Sequence, residues 1–293
     1  MRELISLSLG VLAVAVLGLA SVRAAAPEVR VMTFNLRYAT APDGDNAWDK
    51  RKEFLADVIR QFQPDLLGTQ EVLAVQADYV ADHVIGYTLV GVGRDDGKRA
   101  GEFSAIFYKT SRYEPVASGT FWLSESPDKP GSKSWDSSLP RIATWARLRD
   151  RDNGKREICF LNTHWDHRGN QARIESAKLI RKWVSDHAAD VPTIVTGDLN
   201  VNEEHPGYRT LVSTEGPGPL LRDAFRLLHP QIEPDEATFH NFQGTRRGKR
   251  IDFILCTSQW TPREAAINHA NQDGRYPSDH YPVTAVLELT GQK

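Results

Sequence analysis

Val191-Pro192-Thr193-Ile194-Val195-Thr196-Gly197-Asp198-Leu199-Asn200 begins as an apolar, β-branched run and ends on two polar side chains. β-Branched residues fit a pleated, buried surface, so the run predicts a strand over 191–196. Asp198 and Asn200 then arrive where a buried strand has no structural need of them. The same arrangement recurs along the chain. Met32-Thr33-Phe34-Asn35 leads to Asn35, Leu66-Leu67-Gly68-Thr69-Gln70-Glu71 to Glu71, and Leu161-Asn162-Thr163-His164 to His164. Arg250-Ile251-Asp252 carries an acid at the opening of a strand, and Ser278-Asp279-His280-Tyr281-Pro282 sets an acid and a histidine before the last one. Each has an ordinary explanation when taken singly. Asn and Asp at strand ends form turns, and Glu71 suits the start of a following helix. Six such features on the strand ends of one domain point instead to a shared cleft.

The rest of the chain supplies the frame. Further strands are predicted over 29–36, 66–70, 87–92, 103–108, 113–123, 142–149, 157–163, 250–256, 263–267 and 282–289. Trp48, Leu55, Val58, Ile59 and Phe62 recur at helical spacing and predict a helix over 46–63, capped by Asp45 or Asn46 and ended by Pro64. Other helices are expected over 73–84 and 171–188, the second with Ile174, Ala177, Ile180, Trp183 and Val184 on one face. Residues 124–140, rich in Pro and Ser, predict a long surface loop of the kind that often carries function. Strands outnumber helices, and helices interrupt two runs of strands. That order fits an α+β fold of two packed sheets with helices outside them. No linker divides residues 27–293, which are read as one domain.

Composition bounds the function. Of 293 residues, 40% are hydrophobic and 25% charged, as in an ordinary globular protein. The formal net charge of −2 lacks the basic excess of proteins that hold nucleic-acid backbones, so a nuclease for long duplexes is not favoured. Arg2, the apolar stretch from Leu4 to Ala20, and the small residues Ser21, Ala24, Ala25 and Ala26 read as a signal peptide over residues 1–26. The expected location is secreted or periplasmic, with no stable membrane insertion once that segment is removed. An uncleaved anchor is the less favoured alternative, because about 17 residues is near the lower limit for spanning a bilayer. Cys159 and Cys256 each sit within a strand-like run, and two buried free thiols are the expectation.

In order along the chain, Thr33-Phe34-Asn35, Gln70-Glu71, Asn162-Thr163-His164, Gly197-Asp198-Leu199-Asn200, Ile251-Asp252 and Ser278-Asp279-His280 resemble the motifs of the endonuclease/exonuclease/phosphatase superfamily, with its deoxyribonuclease-I-like fold. The match runs from Val29 to Leu289 and is to a secreted, bacterial type of member. It implies a four-layer α/β/β/α sandwich, with two mixed sheets face to face and helices on both outer surfaces. It also implies a phosphoric ester hydrolase, for a diester or a monoester, in which activated water attacks in line. The implied cofactor is Mg²⁺, with Mn²⁺ as a possible substitute. Mg²⁺ takes hard oxygen ligands and needs only one or two carboxylates. Glu71 is expected as the principal ligand, with Asn35 and Asp279 at the same or a second ion. By resemblance, Asp198 orients or deprotonates the water, Asn200 holds the phosphate, His164 and His280 contact it, and Asp252 bonds His280. The base is left open between Asp198 and His280.

Arg37 beside Asn35, and Arg141 after the long loop, are candidate substrate contacts. A guanidinium clamps a phosphate bidentately, while a surface arginine is an equal reading for Arg141. Trp165, Asp166 and His167 directly follow His164 and are expected at the rim, where an indole and an acid suit a phosphorylated sugar or polyol. The run Arg246, Arg247, Lys249 and Arg250 is a candidate second contact for an anionic substrate. The expected partner is a phosphorylated small molecule or lipid headgroup, taken by a monomer. Two alternatives stay open, a secreted nuclease and a binding protein on the same fold that does not turn over. The presence of Glu71 and of the Asp279–His280 pair argues for activity.

Overall fold

Alternation of side chains along the strands organises the molecule, which a computed structural model describes over residues 28–290; the signal-peptide reading of residues 1–26 lies outside them. Successive side chains of a strand point to opposite faces, so a strand covered on both sides is apolar on both. In β1 (Glu28–Asn35), Val29 and Val31 join Phe160, Ile194 and Ile254 in a core between two sheets. Met32 and Phe34, on the other face, pack with Leu55 and Ile59 of helix α1 (Trp48–Phe62).

β2 (Leu66–Val72), β3 (Tyr87–Val90), β4 (Phe103–Lys109), β11 (Trp260–Ile267) and β12 (Val283–Leu289) complete a six-stranded sheet of order β11-β12-β1-β2-β4-β3. β5 (Tyr113–Trp122), β6 (Ile142–Asp150), β7 (Arg156–His164), β8 (Thr193–Asp198), β9 (Arg222–Asp223) and β10 (Asp252–Cys256) form the second, of order β5-β6-β7-β8-β10-β9. β1–β2 and β7–β8 are parallel pairs. Parallel neighbours need a crossover, supplied by α1 and by α3 (Asn170–Ala188). α1 and α2 (Ala74–His83) cover the first sheet, while α3 and the short α4 (Pro206–Leu211) cover the second through Ala177, Ile180, Val184 and Leu211. Three cores separate four layers, which is the α/β/β/α sandwich of two mixed sheets that the family resemblance implies.

Some local expectations are corrected. Asp45 and Asn46 lie in a 3₁₀ turn and do not cap α1, whose N-cap is Ala47 with no side-chain bond. α4, α5 (Ala224–Leu228) and the two-residue β9 are too short to show a hydrophobic period, and sequence reading passed over them. Both cysteines are free. Cys159 packs beneath α3 and Cys256 between the sheets, and burial pushes both thiols up to about 12.

The face between the sheets changes character along its length. Val29 and Val31 give way to Thr33 and Asn35, Leu66 to Gly68 and Gln70, Phe160 to Asn162 and His164, and Ile194 to Thr196 and Asp198. The middle tier is a hydrogen-bonded polar layer. Gln70 Nε2 donates to Asn162 Oδ1 (2.6 Å) and Thr33 Oγ1 (3.0 Å), and Asn162 Nδ2 donates to the carbonyls of Thr69 and Ala105. The two sheets approach closely here. A Cβ on Gly68 would meet Thr196 Oγ1 at 2.2 Å and Asn162 Oδ1 at 2.5 Å. Gly68→Ala is therefore expected to cost about 1–3 kcal/mol, read as a drop of about 2–4 °C in Tm for each kcal/mol. An unchanged Tm would mean that the sheets part freely at this tier.

Candidate active site

The graded face ends in reactive groups because strand register sets them side by side. His164 is paired with Asp198 across β7–β8, and Asp198 with Asp252 across β8–β10. At this end opens a cleft of about 500 Å³, a volume suited to a small ligand. Nine of the thirteen residues singled out from sequence line it: Arg37, Glu71, Arg141, His164, His167, Asp198, Asn200, Asp279 and His280.

Backbone strain concentrates here. Arg37 (φ 54°), Glu71 (φ 57°) and Asn200 (φ 50°) all take the left-handed conformation. For non-glycine residues that costs roughly 1–3 kcal/mol each and persists where the surroundings enforce it. At Glu71 the cause is a bulge against β4 between Thr69 and Val72. Regular alternation from Leu67 would send residue 71 into the core under α1, but Val72 occupies that face and Glu71 turns to the cleft.

Asp198 is the hub. Its Oδ2 accepts from Asn35 Nδ2 (2.9 Å) and lies 3.5 Å from His164 Nε2 and 3.7 Å from His280 Nε2, while its Oδ1 accepts from the Asn200 N–H. Burial, and then the charge of Asp252, push its pKa up to about 7. His280 Nδ1 bonds Asp252 Oδ2 at 2.8 Å. Burial opposes charge on this ring, but Asp252 and Asp198 outweigh it and hold the pKa up at about 10. His280 is thus an imidazolium, with one N–H on Asp252 and the other toward Asp198. His164 is the opposite case. Burial, then Arg141 and Arg94, push it well below the ordinary histidine value, so it is a neutral ring.

Arg141 is not a surface arginine. It is 4% exposed, donates to His164 Nδ1 (3.1 Å) and His167 Nδ1 (3.0 Å), and reaches the cleft. Arg37 makes a two-bond pair with Asp43 (3.0 and 2.9 Å) and places Nε 3.7 Å from Asp279.

Four sequence-predicted residues do not line the cleft. Asn35 is buried behind it, donating to both Glu71 Oε1 (3.1 Å) and Asp198 Oδ2 while its own oxygen accepts from the Arg37 N–H; it ties two carboxylates together. Asp252 is buried and its Oδ2 bonds the His280 ring. Trp165 was expected at the rim but is fully buried in the core beneath α3. Its neighbour His164 points between the sheets, so period-two alternation forces the indole the other way. Asp166 was also expected to meet substrate, yet its carboxylate is used internally, accepting from Ser138 Oγ (2.7 Å), Leu139 N (3.2 Å), Gly169 N (2.7 Å) and Arg168 N (3.0 Å). It pins the end of the long loop. The basic run is likewise outside the cleft, with Arg246 and Arg247 exposed elsewhere and Arg250 buried against Asp223 and Glu203.

Sequence reading missed Glu102, which lines the cleft and pairs with Arg94 through two bonds (2.7 and 2.8 Å). Period two would have found it, since Glu102, Ser104, Ile106 and Tyr108 share the parity of the inter-sheet face. It also missed Arg51, a buried guanidinium bonded to the carbonyls of Leu36, Arg37, Asn46 and Pro277, which binds the loop carrying Arg37 to the one carrying Asp279. Burial lowers its pKa to about 10. Nothing local in the sequence reports such a long-range role.

The donor set fits a hard divalent cation. Ligand atoms of Glu71, His164 and Asp198 lie within 4.8 Å of one another, and Asp279 faces the same cleft. Glu71 has no cationic side chain paired with it among the described residues; its partners are Asn35 and the Tyr38 N–H. A carboxylate held in a strained conformation and left without a counter-charge is a ready oxygen ligand.

A model of the Endonuclease/Exonuclease/phosphatase family matches residues 32–280. Among solved structures, an endonuclease/exonuclease/phosphatase family protein from Bacteroides thetaiotaomicron is similar at 34% identity and a TM-score of 0.83, over 91% of this chain and 99% of that one. A mannosyl-6-phosphatase from Bacteroides thetaiotaomicron VPI-5482 is similar at 34% identity and a TM-score of 0.79, over 88% and 99%. The CCR4-Not complex 3'-5'-exoribonuclease subunit Ccr4 of Mycosarcoma maydis is 23% identical over 88% of this chain and 50% of its own length. The chain spans about half the length of the first curated relatives it matches.

Proposed function

The chain belongs to the endonuclease/exonuclease/phosphatase family, and on that premise we propose that it is a divalent-metal-dependent phosphoesterase that removes phosphate from a small sugar-linked monoester. The observation that carries this reading is the convergence of Glu71, Asp198, Asp279 and the charged His280 on one small cleft. Similarity to a mannosyl-6-phosphatase over nearly the whole of both chains supports the substrate class. The net charge of −2 lacks the basic excess of a protein that holds a nucleic-acid backbone and so favours a compact phosphate ester.

Glu71 would hold the cation with Asp279 or Asp198 beside it. When bound, the ion neutralises phosphoryl charge and stabilises the leaving oxygen. Asp198, ringed by donors and with a pKa near neutrality, is placed to orient a water and take its proton. The water oxygen bonds phosphorus as the ester P–O bond breaks, and the leaving oxygen takes a proton from solvent water. His280, kept charged by Asp252, offers an N–H to the phosphoryl group, and Arg141 and Asn200 supply further donors. Asn35 keeps Glu71 and Asp198 in register.

The test is phosphate release from mannose 6-phosphate, p-nitrophenyl phosphate and bis-p-nitrophenyl phosphate with Mg²⁺ or Mn²⁺, repeated with chelator. Release from the monoesters, abolished by chelator, is expected. No release from any monoester, together with degradation of an RNA oligonucleotide, would move the assignment to a nuclease.

A further inference from the structure

We infer that Phe239 is the specificity-determining side chain of this cleft, a platform on which the ring of a hexopyranose phosphate stacks; the inference rests on the phosphoesterase reading above. Of the eleven phenylalanines, all of them within the described residues, Phe239 is the one that is exposed, at 46%. It stands at the mouth of the cleft with its ring centroid 5.1 Å from that of His280.

The exposure is built into the backbone. Phe239 forms a bridge with His280, the Tyr281 N–H donates to the Thr238 carbonyl (2.7 Å), and the N–H groups of His240 and Asn241 donate to the Asp279 carbonyl (2.9 and 3.2 Å). The chain then turns through two successive left-handed residues, Asn241 (φ 48°) and Phe242 (φ 59°). Their neighbours point inward: the His240 ring stacks on Tyr281 at 3.9 Å, and Phe242 meets Arg51. A strained corner therefore locks the segment to the very residues that carry Asp279 and His280, and leaves one aromatic face in water.

Leu139, 37% exposed and with its N–H held by Asp166, also lines the cleft. The cleft thus has a charged floor and apolar lips. A pyranose matches that division, with a C–H face for the ring of Phe239, hydroxyls within reach of polar groups such as Glu102 and His167, and a phosphate for the floor. A nucleobase would also stack, but the carboxylates of the lining offer no track for a nucleic-acid backbone.

The test uses the full chain with Mg²⁺ in an Asp198→Asn background, so that ligands bind without turnover. Mannose 6-phosphate, inorganic phosphate and a nucleoside 5'-monophosphate are titrated calorimetrically with and without Phe239→Ala. The change is expected to weaken mannose 6-phosphate binding about tenfold and to leave inorganic phosphate within about twofold, with Phe239→Trp restoring the sugar phosphate. Equal weakening of sugar phosphate and inorganic phosphate, no weakening at all, or no binding of mannose 6-phosphate would overturn the inference, as would a larger loss for the nucleotide. Failure of the phosphoesterase reading appears separately, as absence of phosphate release by the wild-type protein.

Discussion

Asp198→Asn should lower kcat by about a thousandfold, within the range expected when a positioned general base is removed. The isosteric amide keeps the space and some of the bonds around the site but cannot take a proton from water. Folding should not suffer. The Asp198 carboxyl has its pKa raised from 3.8 to about 7, so the folded state binds a proton there more tightly than the unfolded state. A raised carboxyl pKa means that ionisation opposes folding, and the penalty grows as pH rises from about 4 through about 7. The neutral amide is free of it. Thermal unfolding above neutrality should therefore give a Tm for Asp198→Asn equal to or higher than that of wild type. A variant that is both inactive and markedly less stable would show that the side chain is structural.

The same proton arrangement shapes the pH profile. kcat/KM should rise as Asp198 ionises near 7 and fall as His280 loses its proton near 10. Asp252 raises both values, in one case by repelling a carboxylate and in the other by attracting an imidazolium. Asp252→Asn should therefore move both limbs to lower pH. Limbs that stay put, or that move in opposite directions, would remove Asp252 from this pairing.

Much of this site is legible because a β-strand imposes period two. Once Val29 and Val31 are assigned to the inter-sheet face, Thr33 and Asn35 must share it, and the same count carries Phe160 to His164 and Ile194 to Asp198. Applied strictly, that rule also excludes Trp165, which proximity to His164 in the sequence made attractive. It stops at irregular backbone. Glu71 reaches the cleft only through a bulge, and Arg37, Asn200, Asn241 and Phe242 sit at left-handed corners that no hydrophobic pattern announces. Arg51 and Asp166 look like ordinary charges until tertiary packing buries them against distant loops. Phe239 is the hardest case, since an apolar residue in a turn reads as core, and only the folded chain shows it facing water.

Glu71→Gln should lower kcat/KM at a fixed Mg²⁺ concentration by about a thousandfold, the several kcal/mol that a carboxylate-held cation contributes to transition-state charge stabilisation. The amide fits the same bulge, so the loss is one of charge. Apparent Mg²⁺ affinity, read calorimetrically and from the metal dependence of the rate, should fall in parallel. Glu71→Gly separates function from strain. With φ at 57°, the glutamate holds a conformation that glycine adopts freely, and its replacement should return part of the roughly 1–3 kcal/mol stored at such a position. The expected pattern is a glycine variant without activity that unfolds at a higher temperature than the glutamine variant. That pattern would show an acid held where the backbone prefers glycine, with its carboxylate aimed into the cleft. A glutamine variant that keeps wild-type Mg²⁺ dependence would place the cation elsewhere, on the other cleft carboxylates Glu102, Asp198 and Asp279.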